Sequence, residues 1–327
     1  MKVGVTYDLR DDYLARGFKL EECAEFDSKF TIDSIVSELE SLGYETERIG
    51  TAQSLVSMLA QGKRWDMVFN IAEGLYGTGR EALVPALLDD YKIPYTFSDP
   101  AALCVSLDKA LAKRVVRDAG VPTPDFAVAR DADDLKQVSL PFPLFAKPLT
   151  EGTGKGIGPQ SKINSSRELE EVGSRLLSLF QQPVLLEAFL PGREYTVGIV
   201  GTGKRARTVG IIEIFLGNQA EPDAYTYINK EQYETKVTYK PVRGQEARQA
   251  LDVALAAYNV LGCRDAGRVD LREDAQGTPC FIEVNPLAGL NPVRSDLPIL
   301  CSFFNMSYHD LMAAIMESAM ERMPPAP

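Results

Sequence analysis

Along residues 1–100 the apolar positions switch repeatedly between the period of a strand and that of a helix. Lys2–Tyr7 reads as an opening strand. Ile32, Ile35, Val36, Leu39 and Leu42 then recur at helical spacing, and Gly43 is placed to end that helix. Thr46–Ile49 is a second strand, and Leu55, Met58 and Leu59 mark a second helix. Met67–Ile71 is a third strand, Arg80–Tyr91 a helix with Pro85 in its early turns, and Tyr95–Phe97 a fourth strand. Strands alternating with helices predict a parallel sheet covered on both faces.

The pattern changes after Asp99-Pro100. Leu107–Ala119 reads as a basic helix closed by Gly120, and Val121-Pro122-Thr123-Pro124 extends the chain. Strands follow at Phe126–Ala129 and Leu144–Lys147. Next comes Glu151-Gly152-Thr153-Gly154-Lys155-Gly156-Ile157-Gly158, with glycine at every second position. Such a loop lets backbone N–H groups approach phosphate oxygens, although a flexible surface turn has the same composition. Ser165-x-x-Glu168 is a capping box opening a helix that carries Leu169, Val172, Leu176 and Leu179. Strands are expected at Val184–Glu187, Arg193–Val200, Thr208–Phe215 and Lys236–Tyr239, with helices at Gln245–Leu261 and Ser307–Met323. The polar segment 217–233 is either an active-site cover or disordered.

Arg268–Leu271 and Cys280–Asn285 read as a hairpin across the polar turn Glu273-Asp274 and Gln276-Gly277. Alternation puts Arg268 and Asp270 on one face and makes Glu283 and Asn285 share a face. Val269, Leu271, Ile282 and Val284 then fill the opposite faces. If the polar faces coincide, two carboxylates and an amide oxygen form a hard set suited to Mg²⁺, with an arginine able to hold a phosphate oxygen beside it. A hairpin with one solvated face is the alternative.

Composition narrows the chemistry. Lys plus Arg is 35 against 46 for Asp plus Glu, a net charge of −11, which argues against nucleic acid or an anionic membrane as partner. No run approaches the roughly 20 apolar residues of a membrane span, and MKVGVTYDLRDD lacks the apolar stretch of a signal peptide, so a cytoplasmic location is expected. The five cysteines are scattered and make no CxxC pair, and the single histidine is His309. Multi-histidine zinc sites are excluded, and a Ser-His-Asp triad would have to use His309. Chemistry must run on carboxylates, Lys, Arg and backbone amides, with or without a metal. A dinucleotide reading also fails, because residues 8–12 after the first strand are Asp-Leu-Arg-Asp-Asp rather than a glycine-rich turn.

In order, Ser106-Leu107-Asp108-Lys109, Lys113, Gly120–Pro124, Lys147, the glycine loop, Glu187–Leu190 and the Arg268–Asn285 hairpin resemble the ATP-grasp superfamily, and within it the D-alanine–D-alanine ligase family. The resemblance implies an α/β chain in three parts. A Rossmann-like N-terminal domain (1–100) precedes a two-part ATP-grasp fold of α+β character, with a central subdomain (101–183) and a C-terminal one (184–327).

The resemblance also implies roles. Lys109, Lys147 and Lys230 would reach ATP phosphates, with Glu151, Gly152 and Gly154 of the glycine loop closing over them. The strand Glu187–Leu190 would read adenine and Glu194 the ribose hydroxyls. Asp270, Glu283 and Asn285 would hold Mg²⁺, or Mn²⁺ in its place. Arg268 would sit at the reacting phosphate, with the backbone of Gly289 and Leu290 at the oxyanion, Glu25 on the first substrate's amino group, and Thr153 where a loop serine is expected. Similar enzymes join small amino acids through an acyl phosphate and are usually homodimers. The substrate end departs from the pattern. Asn70-Ile71-Ala72-Glu73-Gly74 stands where a histidine is expected, Glu231 where a tyrosine is, and the Gly289–Leu297 segment, with Ser295, is longer than usual. A ligase of other acid and amine specificity, or a catalytically silent ATP-binding protein, are the alternatives.

Overall fold

A computed structural model describes residues 1–217, 221 and 233–323; the expected site residue Lys230, with Glu231, lies outside the described residues. The first sheet is parallel, formed by β1 (Lys2–Thr6), β2 (Glu45–Gly50) and β3 (Met67–Asn70) in the order β2-β1-β3. The helix Lys29–Ser41 begins at Ser28, whose hydroxyl accepts from the Thr31 N–H, and its Ile32, Ile35 and Leu39 are buried against the sheet. Leu55, Trp65 and Leu88 cover the other face.

The fourth strand expected at Tyr95–Phe97 is reduced to one bridge between Val68 and Tyr95. Phe97 has φ 70° and donates its N–H to Asp265, so the chain turns out of the sheet there. The helix expected at Arg80–Tyr91 runs Leu83–Asp90, which leaves Pro85 in its first turn. The single helix expected at Leu107–Ala119 is two, Pro100–Leu107 and Lys109–Asp118, broken where the Asp108 carboxylate caps Ala110 and Leu111. That break starts a new helix at Lys109.

Two antiparallel sheets follow. The four-stranded one pairs β4 (Phe126–Ala129), β5 (Leu144–Pro148), β6 (Lys162–Ile163) and β7 (Val184–Ala188) in the order β4-β7-β5-β6. It packs on the helix Ser166–Phe180 through Leu169, Val172 and Leu176. Only half of the expected capping box forms: Ser165 caps Glu168, while the Glu168 carboxylate takes the Asn164 N–H. β7 pairs between β4 and β5, so Val184–Ala188 belongs to this sheet.

The five-stranded sheet has β8 (Glu194–Val200), β9 (Arg207–Leu216), β10 (Val237–Pro241), β11 (Ala266–Glu273) and β12 (Pro279–Asn285) in the order β10-β9-β8-β11-β12. The helix Gln245–Val260 buries Ala250, Ala254, Ala257 and Tyr258 on it. The C-terminal helices Asp296–Phe303 and Tyr308–Met320 return to the first sheet, so Leu297, Leu311, Ile315 and Met316 share a core with Val3, Val5 and Ile35. No helix among the described residues is long and apolar enough to cross a membrane.

Asp265 pins this return. Fully buried, it accepts from the Phe97 N–H (2.6 Å) and from the hydroxyls of Thr202 (3.2 Å) and Ser318 (2.8 Å), and it pairs with Arg322. Four groups from three parts of the chain therefore share one carboxylate. Asp265→Ala should cost on the order of 3 kcal/mol, because Arg322 and the Phe97 N–H lose a buried partner. Urea unfolding checks this, and a change below about 1 kcal/mol would remove Asp265 from this role.

Candidate active site

The two antiparallel sheets face each other across a cleft. Lys109, Lys147, Glu151, Gly154, Glu187, Leu190, Glu194, Asp270 and Glu283 line it, nine of the residues expected from the sequence. Phe145, Phe189, Ile214 and Ile282 supply apolar walls, the mixture expected of a site for a flat base with a charged tail.

Lys147 leaves β5 and Glu187 leaves β7, its neighbour in the sheet. Their side chains meet at 2.8 Å, and Lys113 approaches the other Glu187 oxygen at 2.5 Å. These three residues are 3%, 3% and 0% exposed in the order Lys147, Glu187, Lys113, so the charges are held by each other rather than by water. Burial opposes the charge on Glu187, yet the two lysines outweigh it and hold the carboxyl below the usual range. Burial likewise opposes Lys147, and Glu187 with Glu283 outweighs it and raises the ammonium. Lys113 is pushed down to about 8 by burial, in spite of Glu187. Lys113 also donates to the Phe281 carbonyl of β12 and the Thr123 hydroxyl, each at 3.1 Å, which ties one sheet to the other. The Glu187 carboxylate is thus a clamp on Lys147, a function its place in the expected adenine-reading strand did not indicate.

The hairpin places its polar residues by register. Arg268 pairs with Asn285 and Asp270 with Glu283, so all four sit at one end of the cleft. A bulge between Asp270 and Leu271 makes Leu271 pair with Phe281, so Phe281 goes to the core and Ile282 lines the cleft beside Glu283. This corrects the strict alternation, which set Ile282 on the face opposite Glu283.

Asp270 accepts from the Thr196 hydroxyl (2.8 Å) and the Asn285 amide nitrogen (3.2 Å), and pairs with Arg268 (3.1 Å). The amide nitrogen is thereby engaged, and the Asn285 oxygen is left to serve as a donor atom. Among the described residues no cluster of three or more His, Cys, Asp or Glu side chains could hold a metal, so a metal here depends on that amide. Two carboxylates and one amide oxygen fit Mg²⁺ binding completed by phosphate and water.

A second cavity of about 590 Å³ adjoins this end and is bordered by Glu25, Gly152, Thr153, Arg268, Asn285 and Gly289. That volume suits small-molecule ligands, which occupy sites of roughly 300–1,000 Å³. Lys109 and Glu283 border both spaces and stand 3.6 Å apart. Lys109 also donates to the Glu151 carbonyl at 2.5 Å, while the Glu151 carboxylate takes Gln182 (2.7 Å) and Lys155 (3.2 Å). The glycine loop is anchored at its root by side chains.

Glu25 is engaged from three directions. It accepts from the Gly152 N–H (2.7 Å), pairs with Arg80 (3.1 Å), and has Lys155 at 3.7 Å. A Cβ at Gly152 would lie 2.4 Å from Glu25 Oε1, which is why glycine stands there. The neighbouring Thr153 adopts φ 50°, an uncommon conformation for a β-branched residue, and its buried hydroxyl has no hydrogen-bond partner. Arg268 pairs with Asp296 of the helix Asp296–Phe303, and Asp296 accepts from the Tyr239 hydroxyl at 2.9 Å. Ser295 is turned toward the loop, its hydroxyl accepting from the Asn291 N–H at 3.0 Å.

Arg80, Glu81, Lys155 and Asp296 escaped the sequence reading. Only Lys155, inside the glycine loop, carried a local signal. Arg80 and Asp296 meet their partners across large stretches of chain.

Residues 115–317 match the family model described as the D-ala D-ala ligase C-terminus. A D-alanine–D-alanine ligase of Bordetella avium is 34% identical over 291 residues, covering 86% of this chain and 86% of that protein. The chain belongs to the D-alanine–D-alanine ligase family. It is an ATP-dependent ligase with the mixed α/β ATP-grasp fold of that family. An uncharacterized protein y4sG of Sinorhizobium fredii is 30% identical over 305 residues, covering 89% of this chain and 87% of the other. Among solved structures, a D-alanine–D-alanine ligase from Bacillus anthracis superposes with a TM-score of 0.74 over 98% of both chains at 23% identity. The structure of that enzyme complexed with ATP gives 0.73 at 22% identity.

In this family member the acidic end of the second cavity carries a titration signature. Burial raises Glu81 from 4.5 to about 7; Glu25 adds to the rise and Arg80 offsets part of it. The folded chain therefore holds that proton more tightly than the unfolded chain. The stability due to neutral Glu81 is complete below about pH 4.5 and is lost as pH rises toward about 7. Glu81→Gln, neutral throughout, should raise the thermal midpoint of the ligand-free protein near pH 8 and leave it nearly unchanged near pH 4.5. An equal effect at both pH values would count against the assignment.

Proposed function

We propose that this ligase uses ATP and Mg²⁺ to activate a small carboxylic acid as an acyl phosphate and joins it to an amine, giving a dipeptide-like product. One observation carries the reading: Lys109 and Glu283 border both spaces, so the end of the cleft that carries them adjoins the second cavity.

ATP supplies the phosphoryl group that turns the carboxylate into a mixed anhydride. Phosphoryl transfer is mostly positioning and charge neutralisation, work suited to lysines and an arginine in a chain with one histidine. Lys147, clamped by Glu187, and Lys109, held by the Glu151 carbonyl, offer fixed donors to phosphate oxygens. Asp270, Glu283 and Asn285 would hold Mg²⁺, which adds neutralising charge at the phosphates when bound. Arg268, oriented by Asp270 and Asp296, faces the same end and, with the backbone at Gly289, would stabilise the oxyanion as the amine attacks. Glu25 tethers the glycine loop over the junction of the two spaces, which keeps water from the acyl phosphate. The Leu290 carbonyl accepts from Tyr308, which steadies the Gly289–Leu290 segment.

Incubation with ATP, Mg²⁺ and a panel of D- and L-amino acids tests the reading through phosphate release and product mass. Acid-dependent ADP formation is expected, and Glu283→Ala should lower it by on the order of a hundredfold or more. Lys147→Ala should weaken ATP binding on the order of tenfold or more, read by equilibrium titration. Tight ATP binding without turnover for any acid and amine would turn the reading into that of a silent nucleotide-binding protein.

A further inference from the structure

Most of the border of the second cavity comes from two stretches of chain, 24–31 in the first unit and 283–296 from the end of β12 onward. The hydrogen bond that joins them is Asn291 Nδ2 donating to the Thr31 hydroxyl at 3.0 Å, across 260 residues. Thr31 is buried in the first turn of the helix Lys29–Ser41, and its hydroxyl also lies 3.0 Å from that of the capping Ser28. On its other side Asn291 builds a turn. Its Oδ1 accepts from the N–H groups of Val293 and Arg294, each at 3.0 Å. Its own N–H donates to the Ser295 hydroxyl (3.0 Å), and its carbonyl accepts from the Ser295 N–H (3.1 Å). The amide oxygen thus works inside the turn while the amide nitrogen reaches out of it. A Cβ on Gly289 would lie 2.7 Å from Ser295 Oγ, so the turn packs back onto the Gly289 backbone. Tyr308 holds the Leu290 carbonyl and Arg268 pairs with Asp296, which anchors the turn at each end within the C-terminal part. Asn291 adds an anchor on the first unit.

We infer that Asn291 and Thr31 are positioning residues for the amino acid that the second cavity holds: their hydrogen bond latches together the two walls that enclose it. This rests on the proposed reaction for what fills the cavity. Neither residue borders the cleft between the antiparallel sheets, where Lys147 and Glu187 stand, so the latch acts on substrate fit and not on the nucleotide. Arg268 is oriented by Asp270 and Asp296, and it keeps both partners when the latch is lost. Without the hydrogen bond the 291–295 turn is no longer tied to the helix. Binding then has to order a wall of the cavity as well as the substrate. The chemical step, which runs at Arg268 and the phosphates, is left as it was.

Thr31→Val keeps the shape of the side chain and removes its hydroxyl, while Thr31→Ser keeps the hydroxyl. ADP formation is measured with the amino acid that turns over fastest, at varied amino acid and at varied ATP. Thr31→Val should raise the amino-acid KM roughly three- to tenfold, with kcat and the ATP KM within about twofold of wild type. Thr31→Ser should return that KM close to the wild-type value. Asn291→Ala should raise it at least as far as Thr31→Val. Adding Thr31→Val to Asn291→Ala should change it little further, since both remove the same bond. The inference is overturned if Thr31→Val leaves the amino-acid KM unchanged or if kcat and both KM values move together. It is equally overturned if Thr31→Ser behaves as Thr31→Val or if the two substitutions are additive. If no acid and amine support ADP formation, the proposed reaction fails, and the variants are read by calorimetric titration of D- and L-alanine into protein carrying ADP and Mg²⁺. A Kd that rises roughly three- to tenfold in Thr31→Val and recovers in Thr31→Ser then upholds the latch. An unchanged Kd, no recovery in Thr31→Ser, or no binding to wild type, overturns it.

Discussion

A carboxylate 3% exposed to solvent, Glu187, is tolerable only because Lys113 and Lys147 approach it from two sides. The rest of the cleft depends on that arrangement. Lys113 reaches from the helix Lys109–Asp118 to Phe281 of β12, Glu187 belongs to β7 and Lys147 to β5, so one ionic network joins both walls. Two ammonium groups on one carboxylate leave an excess of positive charge. That excess is expressed at Lys147, which borders the cleft, and it is directed at the place where phosphate oxygens would collect. Removing Glu187 would release the clamp and leave two buried lysines repelling each other, so position and charge fail together.

The neighbouring cavity shares a boundary with this cleft. Lys109 and Glu283 form it, and the glycine loop roofs it through Glu151 and Gly152. Arg80 and Lys155 hold Glu25 against the loop, so this roof is built from residues of the first unit and of the loop itself. Separate compartments with a shared pair of charged side chains suit a two-step ligation. A phosphorylated carboxylate has to form at one and be intercepted by an amine from the other before water reaches it.

What was legible in the sequence divides along the same line. Lys109, Lys147, Asp270 and Glu283 lie on elements whose period was plain, and the family resemblance of their order pointed to one cleft. The parallel sheet, the hairpin and most helices followed from the same periods. The bulge that sends Ile282 to the cleft leaves no mark in an alternating apolar run, and the break at Asp108 needed the capping contacts to be seen. Arg80 finds Glu25 across 55 residues, and Asp296 finds Arg268 across 28. Neither pair has a local pattern. The turn at Phe97, which removed a predicted strand, is set by Asp265 from 168 residues away. Long-range ion pairs of this kind are what periodicity cannot report.

The two halves of the site also differ in how freely they can change. In the cleft between the antiparallel sheets each of these buried charges is a partner of another, so a single replacement strands its neighbour at a cost of about 3–5 kcal/mol. That holds Glu187, Lys113 and Lys147 together as a unit. At Glu73 and Glu81 burial already pushes the carboxyls up, and Arg80 offsets only part of that rise. Departures from the family pattern gather on this side, at Asn70–Gly74, at Thr153 and beyond Gly289, while the cleft keeps its lysines and carboxylates.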